Sequence, residues 1–448
     1  MVADPGHGSA YRAILVGPRS QIAYGAWSSR LKIGIWCDYG VTLQPSEGIG
    51  VFVANLVRGL IQLESVETCL LVSKFREEHL LEELEQLGGG KVQVVGNPPT
   101  RLLLRRPLRI LRRHRRARQY AGRAPSWLDA RLERCLSWLE RNANPSQRRM
   151  LEQVDVWLLP YVGLDQSFPG PMVVVVHDLV TFHFPNSVSE KRLVRFKHLV
   201  REVTDQATLV ACMSNFIVQH DLHTTLGLPE SKTRMVPVAI PEDFGEAGSQ
   251  SPLPPSLLGK RYLLYPAAFR EYKNHSLLVD ALAMLHASGA TDWRVVFTGI
   301  SECPDSLKQH IAQSSVADAI HVLGRVPRSE LETLYRKAFA TVVPSLYEQG
   351  SFPLMEALHF GCPILISDIP SLREQFAMLG DSGLFFDPYK PERLIESLRI
   401  LEARREALLE SQIAGFRAMQ KRTWKDAARD WIAVLSEAVE IDRPSNHC

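Results

Sequence analysis

The chain has 448 residues, 45% hydrophobic and 23% charged, ordinary globular values that exclude wholesale disorder and collagen-like repetition. At roughly 150 residues per domain, the length predicts about three domains or two large ones. Lys plus Arg number 52 against 49 Asp plus Glu, a net charge of +3. Ten of those arginines fall between Arg101 and Arg123, where there is no acid, and the remainder holds 42 basic against 49 acidic residues. That excludes a uniformly basic, nucleic-acid-coating surface.

No apolar run approaches the roughly 18 residues of a membrane span. The seven cysteines (Cys37, Cys69, Cys135, Cys212, Cys303, Cys362, Cys448) are scattered without a C-x-x-C pair. Such spacing fits neither a disulfide framework nor a zinc site and predicts a reducing, cytoplasmic setting.

In chain order, residues 1–30 read as a disordered extension without an apolar core of signal-peptide length. Short β-rich runs follow at Leu31–Trp36, Cys69–Ser73, Val92–Val95, Val154–Leu159, Val173–His177, Leu209–Met213 and Met235–Val238. Stretches of helical spacing such as Val51 to Leu63 separate them. Alternation of this kind predicts a parallel sheet built from right-handed βαβ units. The polar, proline-rich stretch 246–259 continues neither element and is read as a linker. A second alternating series runs through Tyr262–Tyr265, Val295–Thr298, His321–Leu323, Ala340–Val343, Ile364–Ser367 and Leu384–Phe386, and then turns helical to about Val439. The expected architecture is α/β, two Rossmann-like doubly wound parallel-sheet domains (31–245 and 260–423) facing a cleft. A C-terminal segment, 424–448, is expected to pack back on the first domain.

Four positions carry candidate chemistry. In PSLYEQGSFPLMEALHFGCP, Pro344 to Pro363, a strand ends near Val343 and a helix starts near Phe352. Pro353 suits its first turn and Gly361 its C-terminal cap. Glu348 on the loop and Glu356 one turn into the helix then face the helix N–H groups, where a phosphate binds; alternatively, Glu356 complements the dipole and Glu348 is a solvated acid. In FREYKN, Phe269 to Asn274, Arg270 and Lys273 suit a diphosphate, or form an ordinary basic loop. Glu47-Gly48-Ile49-Gly50 offers close backbone approach to a ligand, or only a turn. His177-Asp178 follows a buried run, where parallel sheets place active sites, or where a histidine is bonded in the core.

Taken together, these segments resemble the retaining, nucleotide-sugar-dependent glycosyltransferases of family 4 (group 1), with the GT-B fold. Tyr347–Gly361 is similar to that family's E-G-F-G-L-P-x-x-E-A signature, with Glu348 and Glu356 as its E-x(7)-E pair. The run from His321 to Ser345, Ser367–Glu374 and the FREYKN loop are similar too. The resemblance implies Arg270 and Lys273 on the donor diphosphate, Glu356 on the nucleotide ribose, Glu348 facing the donor sugar and His177 near the reacting sugar. It also implies Gly48 and Gly50 under the phosphates, Gly299 and Val326 at the base, and Gly350, Ser351, Phe352 and Leu354 along the donor site. Where the family has Gly-Phe-Gly-Leu, this chain has Gln349-Gly350-Ser351-Phe352, so a side chain stands where backbone amides approach the donor.

The implied activity is transfer of mannose or another hexose from a nucleoside-diphosphate sugar to an acceptor hydroxyl, with retention, in cell-surface polysaccharide or glycolipid synthesis. No cofactor or metal is expected: the chain has no D-x-D to hold a divalent ion. Other readings are a GT-B sugar-nucleotide epimerase and a donor-binding scaffold without catalysis. Arg101 to Arg123 reads as a basic amphipathic helix for the anionic inner face of the cell membrane, suiting a glycan or lipid-linked acceptor, or as a solvated surface helix. No nucleic-acid partner is expected. On this reading Glu356→Ala weakens donor binding and leaves the thermal melting of the unliganded protein nearly unchanged.

Overall fold

The computed structural model describes residues 30–37, 48–73, 79–96, 145–162, 168–241, 244, 251–299 and 301–443. The arginine-rich segment Arg101 to Arg123 and the leading residues 1–29 lie outside them.

The first elements are β1 (Leu31–Trp36), α1 (Gly48–Leu60), β2 (Val66–Ser73), α2 (His79–Leu87), β3 (Val92–Gly96), α3 (Pro145–Leu151), β4 (Val156–Leu159) and β5 (Met172–Val175). There follow α4 (Val180–His183), α5 (Glu190–Gln206), β6 (Leu209–Cys212), a π-helix over Ile217–Thr225 and β7 (Thr233–Met235). They form a seven-stranded sheet in the order β3-β2-β1-β4-β5-β6-β7. The second series is β8 (Arg261–Pro266), α6 (His275–Ala287), β9 (Trp293–Thr298), α7 (Asp305–Gln313), β10 (Ile320–Gly324), α8 (Arg328–Lys337) and β11 (Ala340–Val343). It continues with α9 (Phe352–His359), β12 (Ile364–Ser367), α10 (Pro370–Gln375), β13 (Leu384–Phe386), α11 (Pro391–Met419) and α12 (Trp424–Asp442). Its sheet is six-stranded, β10-β9-β8-β11-β12-β13, with parallel ladders throughout.

Every residue of β4, β5, β6, β11 and β12 is buried. That is the signature of a parallel sheet covered on both faces, and it explains why these strands read as unbroken apolar runs. Two compact units result. One draws on Ile22–Val175, Glu202–Val210 and Ala428–Cys448, the other on Val176–Arg201 and Ala211–Ala427. In the first, Trp431 of α12 is fully buried and meets Phe52 of α1 edge to face, 5.6 Å between ring centroids.

Several expected bounds shift; β2 begins at Val66 rather than Cys69 and β4 at Val156 rather than Val154. The strand expected over Met235–Val238 is Thr233–Met235, since Pro237 has no N–H to give a ladder. The run expected to continue to His177 leaves regular strand after Val175, although the Val176 N–H still bonds the Ala211 carbonyl at 2.9 Å. Gly48 and Gly50, expected in a loop, form the first turn of α1, because the buried stripe Phe52, Val53, Leu56, Val57 carries the helix back to them. They stand at a helix end, where backbone N–H groups have no partner within the helix, rather than in the loop before it.

Candidate active site at the switch point of the six-stranded sheet

In this sheet the chain runs outward from β8 to β10, then returns to β8's other side as β11. Ligands of open parallel sheets bind at such a switch point, beyond the strand C-termini. The two segments leaving it are 267–274, after β8, and 344–351, after β11. They are joined by hydrogen bonds: Leu346 N–H to the Tyr272 carbonyl at 2.8 Å, and the Asn274 side-chain amide to the carbonyls of Pro344 at 3.1 Å and Pro388 at 2.7 Å. Asn274 does this from a left-handed backbone, φ 55°, a conformation asparagine tolerates better than most residues.

The joined loops place Lys273 against Glu348, Nζ to Oε1 2.5 Å, with the side chains 19% and 8% exposed. Ser345 Oγ donates to the same carboxylate oxygen at 2.7 Å, and Tyr265 OH donates to the Lys273 carbonyl at 3.0 Å. Burial alone would lower the Lys273 pKa; the Glu348 charge and hydrogen bond, with Tyr272 and Asp178, together outweigh it, and the ammonium stands above the ordinary lysine value. Asp178 lies within electrostatic reach of both. Burial, reinforced by the charges of Asp221 and Glu348, raises its carboxyl to about 6. Arg270 is exposed on extended backbone, φ −133° and ψ 150°.

Glu356 has different partners. Arg328 Nη1 meets its Oε1 at 2.5 Å, and Tyr335 OH donates to Oε2 at 2.9 Å. Arg328 also donates to the Phe244 carbonyl. Glu356 is therefore one member of a bonded group, so its removal is expected to lower the melting temperature as well as to weaken donor binding.

The α9 N-terminus is partly spoken for. Pro353 lies in its first turn, and Gly361 past its end has φ 73°, both as read. The Ser351 N–H, however, donates to Gln375 Oε1 at 2.8 Å. A Cβ on Gly350 would stand 3.2 Å from the same amide's nitrogen. Phe352 is exposed, and the Leu354 side chain is in the core. Gly299 lacks a side chain for a local reason: a Cβ there would come within 2.4 Å of the Ala267 carbonyl oxygen. Val326 is partly buried against the same core. Gly48 and Gly50 belong to the other compact unit.

Sequence reasoning missed Arg328, Tyr335, Ser345 and Asp221. Arg328, Tyr335 and Ser345 all lie within or at the end of the run already similar to the family, and that run was the available signal for them. Asp221 had no signal. It is fully buried and accepts from the Leu179 N–H at 2.7 Å, from His183 and His220 at 2.8 Å each, and from Tyr347 OH. Burial acts to raise its pKa, but the bonds from His183, His220 and Tyr347 prevail and hold it at about 2.

The fold is GT-B. Over 91% of this chain it superposes on all but 1% of a sucrose-phosphate synthase from Thermosynechococcus elongatus, TM-score 0.58 at 14% identity. Anabaena HepE, solved with UDP and glucose, gives 0.56 at 14% identity, covering 91% of this chain and all of that one.

Residues 254–414, from ahead of β8 through most of α11, match the family model of glycosyl transferases group 1. With that match and that fold, the chain resembles the group 1 glycosyltransferases. O-antigen chain mannosyltransferase B of Escherichia coli is 26% identical over 221 residues, 48% of this chain and 57% of that protein. An MMP alpha-(1->4)-mannosyltransferase of Mycolicibacterium hassiacum is 24% identical over 279 residues, 60% and 66% respectively. The first of these matches thus spans little more than half the relative's length. No helix among the described residues is long and apolar enough to cross a membrane.

Proposed function

We propose that the protein transfers a hexose from a nucleoside-diphosphate sugar to an acceptor hydroxyl with retention, without a metal ion. The observation that carries this reading is the Lys273–Glu348 pair at the switch point of the six-stranded sheet, inside the matched segment. Breaking a sugar–diphosphate bond leaves negative charge on the departing phosphate. A preorganised cation in a desolvated setting stabilises that charge without reorganising at the moment of reaction. Glu348 keeps Lys273 protonated and aimed, and Arg270, exposed on the same loop, supplies a second positive group. Asp178, its carboxyl raised by burial to about 6, and His177 before it line the acceptor side of the chemistry.

The mannosyltransferases among the relatives support mannose as the sugar, and the O-antigen chain enzyme supports a glycan acceptor; a surface glycan or lipid-linked acceptor is part of this proposal. An anionic membrane surface met through Arg101–Arg123 belongs to the same proposal, as does a site of action on the cytoplasmic face. Calorimetric titration with UDP and GDP, in EDTA throughout, tests the donor site. Micromolar binding of one nucleotide is expected; binding of neither would turn the reading towards a scaffold.

A further inference from the structure

A second cluster lies one residue along from Glu348, and the proposed transfer chemistry leaves part of it unused. Asp221 sits on the π-helix Ile217–Thr225, whose wide turns carry His220 beside it; π-helical turns recur at functional sites. The two carboxylate oxygens divide their work. Oδ2 takes the Leu179 N–H and the Tyr347 hydroxyl, tying the segment after His177 to the loop before Glu348. Oδ1 takes two imidazoles, His183 through Nε2 and His220 through Nδ1, both at 2.8 Å. Phe216 stacks on the His220 ring, centroids 4.9 Å apart and planes 15° from parallel, while Tyr347 lies 5.1 Å from His183. Both rings are thus positioned by packing as well as by the carboxylate.

From this convergence we infer that His183, His220 and Asp221 form a binding site for a divalent transition ion of the zinc class. Their three ligand atoms lie within 4.8 Å of one another. With metal–ligand bonds of about 2.1 Å, neighbouring ligands on a tetrahedral zinc ion stand about 3.4 Å apart, so the two 2.8 Å edges at Oδ1 need open by only about 0.6 Å to admit it. Two imidazoles with one carboxylate select a transition ion over magnesium or calcium, which take oxygen. His183 and His220 are 22% and 43% exposed, leaving the remaining positions open to water. The ion takes the place of the two ring protons now directed at Oδ1, which move to the other ring nitrogens or to solvent, so affinity falls as the pH is lowered. Oδ2 keeps its bonds, and the ion stiffens the Tyr347 anchor of the Glu348 loop.

The test is calorimetric titration of the EDTA-stripped full chain with Zn2+, beside His183→Gln and His220→Ala, with Mg2+ as the control ion. Neither substitution touches the Oδ2 bonds, and circular dichroism melts check that each variant folds. The expected result is one Zn2+ per chain, no Mg2+ binding, and affinity lowered more than about tenfold in each variant, since even an outer-shell partner is worth that much. A Zn2+-induced rise in melting temperature should disappear in both. Failure of the wild-type chain to bind Zn2+, or undiminished binding in either variant, would show a hydrogen-bonded cluster only and overturn the assignment. The readout requires no transfer activity, so it stands or falls apart from the proposed function.

Discussion

Glu348 and Glu356 are eight residues apart, and they behave as different objects. Glu348 is 8% exposed and faces a lysine held by the same pair of loops. Glu356 is 20% exposed and shares an arginine and a tyrosine that come from a neighbouring helix. Each carboxylate has one cation and one hydroxyl, but Glu348 takes both on Oε1 and Glu356 divides them between Oε1 and Oε2, so the more deeply buried Glu348 loses more when its cation is removed. The pair at the strand ends is therefore the more fragile, and it lies at the switch point where open parallel sheets bind their ligands.

The comparison is most easily broken at Lys273. Lys273→Met should cost about 3–5 kcal/mol because it strands a buried carboxylate, and the double variant with Glu348→Gln should recover much of that. Equal melting of the single and double variants would show that the pair is not electrostatically coupled. Glu356→Ala should cost less, about 2 kcal/mol, from two charge-assisted bonds, and should weaken nucleotide binding as well. If binding weakens while the melting temperature holds, Arg328 and Tyr335 have other partners of equal worth.

Asp178 sharpens the contrast through pH. Its folded pKa of about 6 exceeds its ordinary 3.8. The stability it contributes is therefore complete below about pH 3.8 and is lost as the pH rises through 6. Asp178→Asn should raise stability by up to about 3 kcal/mol at pH 7.5 and leave it unchanged near pH 4. Melting curves at the two pH values decide this, and an equal effect at both would remove the charge from the explanation. The smallest effect is expected at Gly350→Ala. The nearest atoms the new methyl meets are the flexible end of Gln375, so the cost should stay within about 1 kcal/mol. Nucleotide affinity would then change only if freeing the Ser351 N–H matters to the donor.

Much of this molecule could be read from local pattern. β1, β11, β12 and β13 lie where the alternation put them, to the residue. The strand-end segments after β5, β8 and β11 were found because buried parallel strands announce themselves as apolar runs and their loops as breaks. The E-x(7)-E spacing, with Pro353 and Gly361 bounding its helix, was legible for the same reason: capping and turn preferences act over a few residues.

What the tertiary structure alone decided is who meets whom. Lys273 and Glu348 are 75 residues apart in the chain. Leu179 and Tyr347, joined through Asp221, are 168 apart. Arg328 rather than solvent faces Glu356 because α8 packs its apolar side, with Leu334 and Tyr335, into the core shared with α9. Hydrophobic periodicity says which side of an element is buried, but pairing across the sheet depends on strand order. Order is set by long-range packing that no local window of sequence contains.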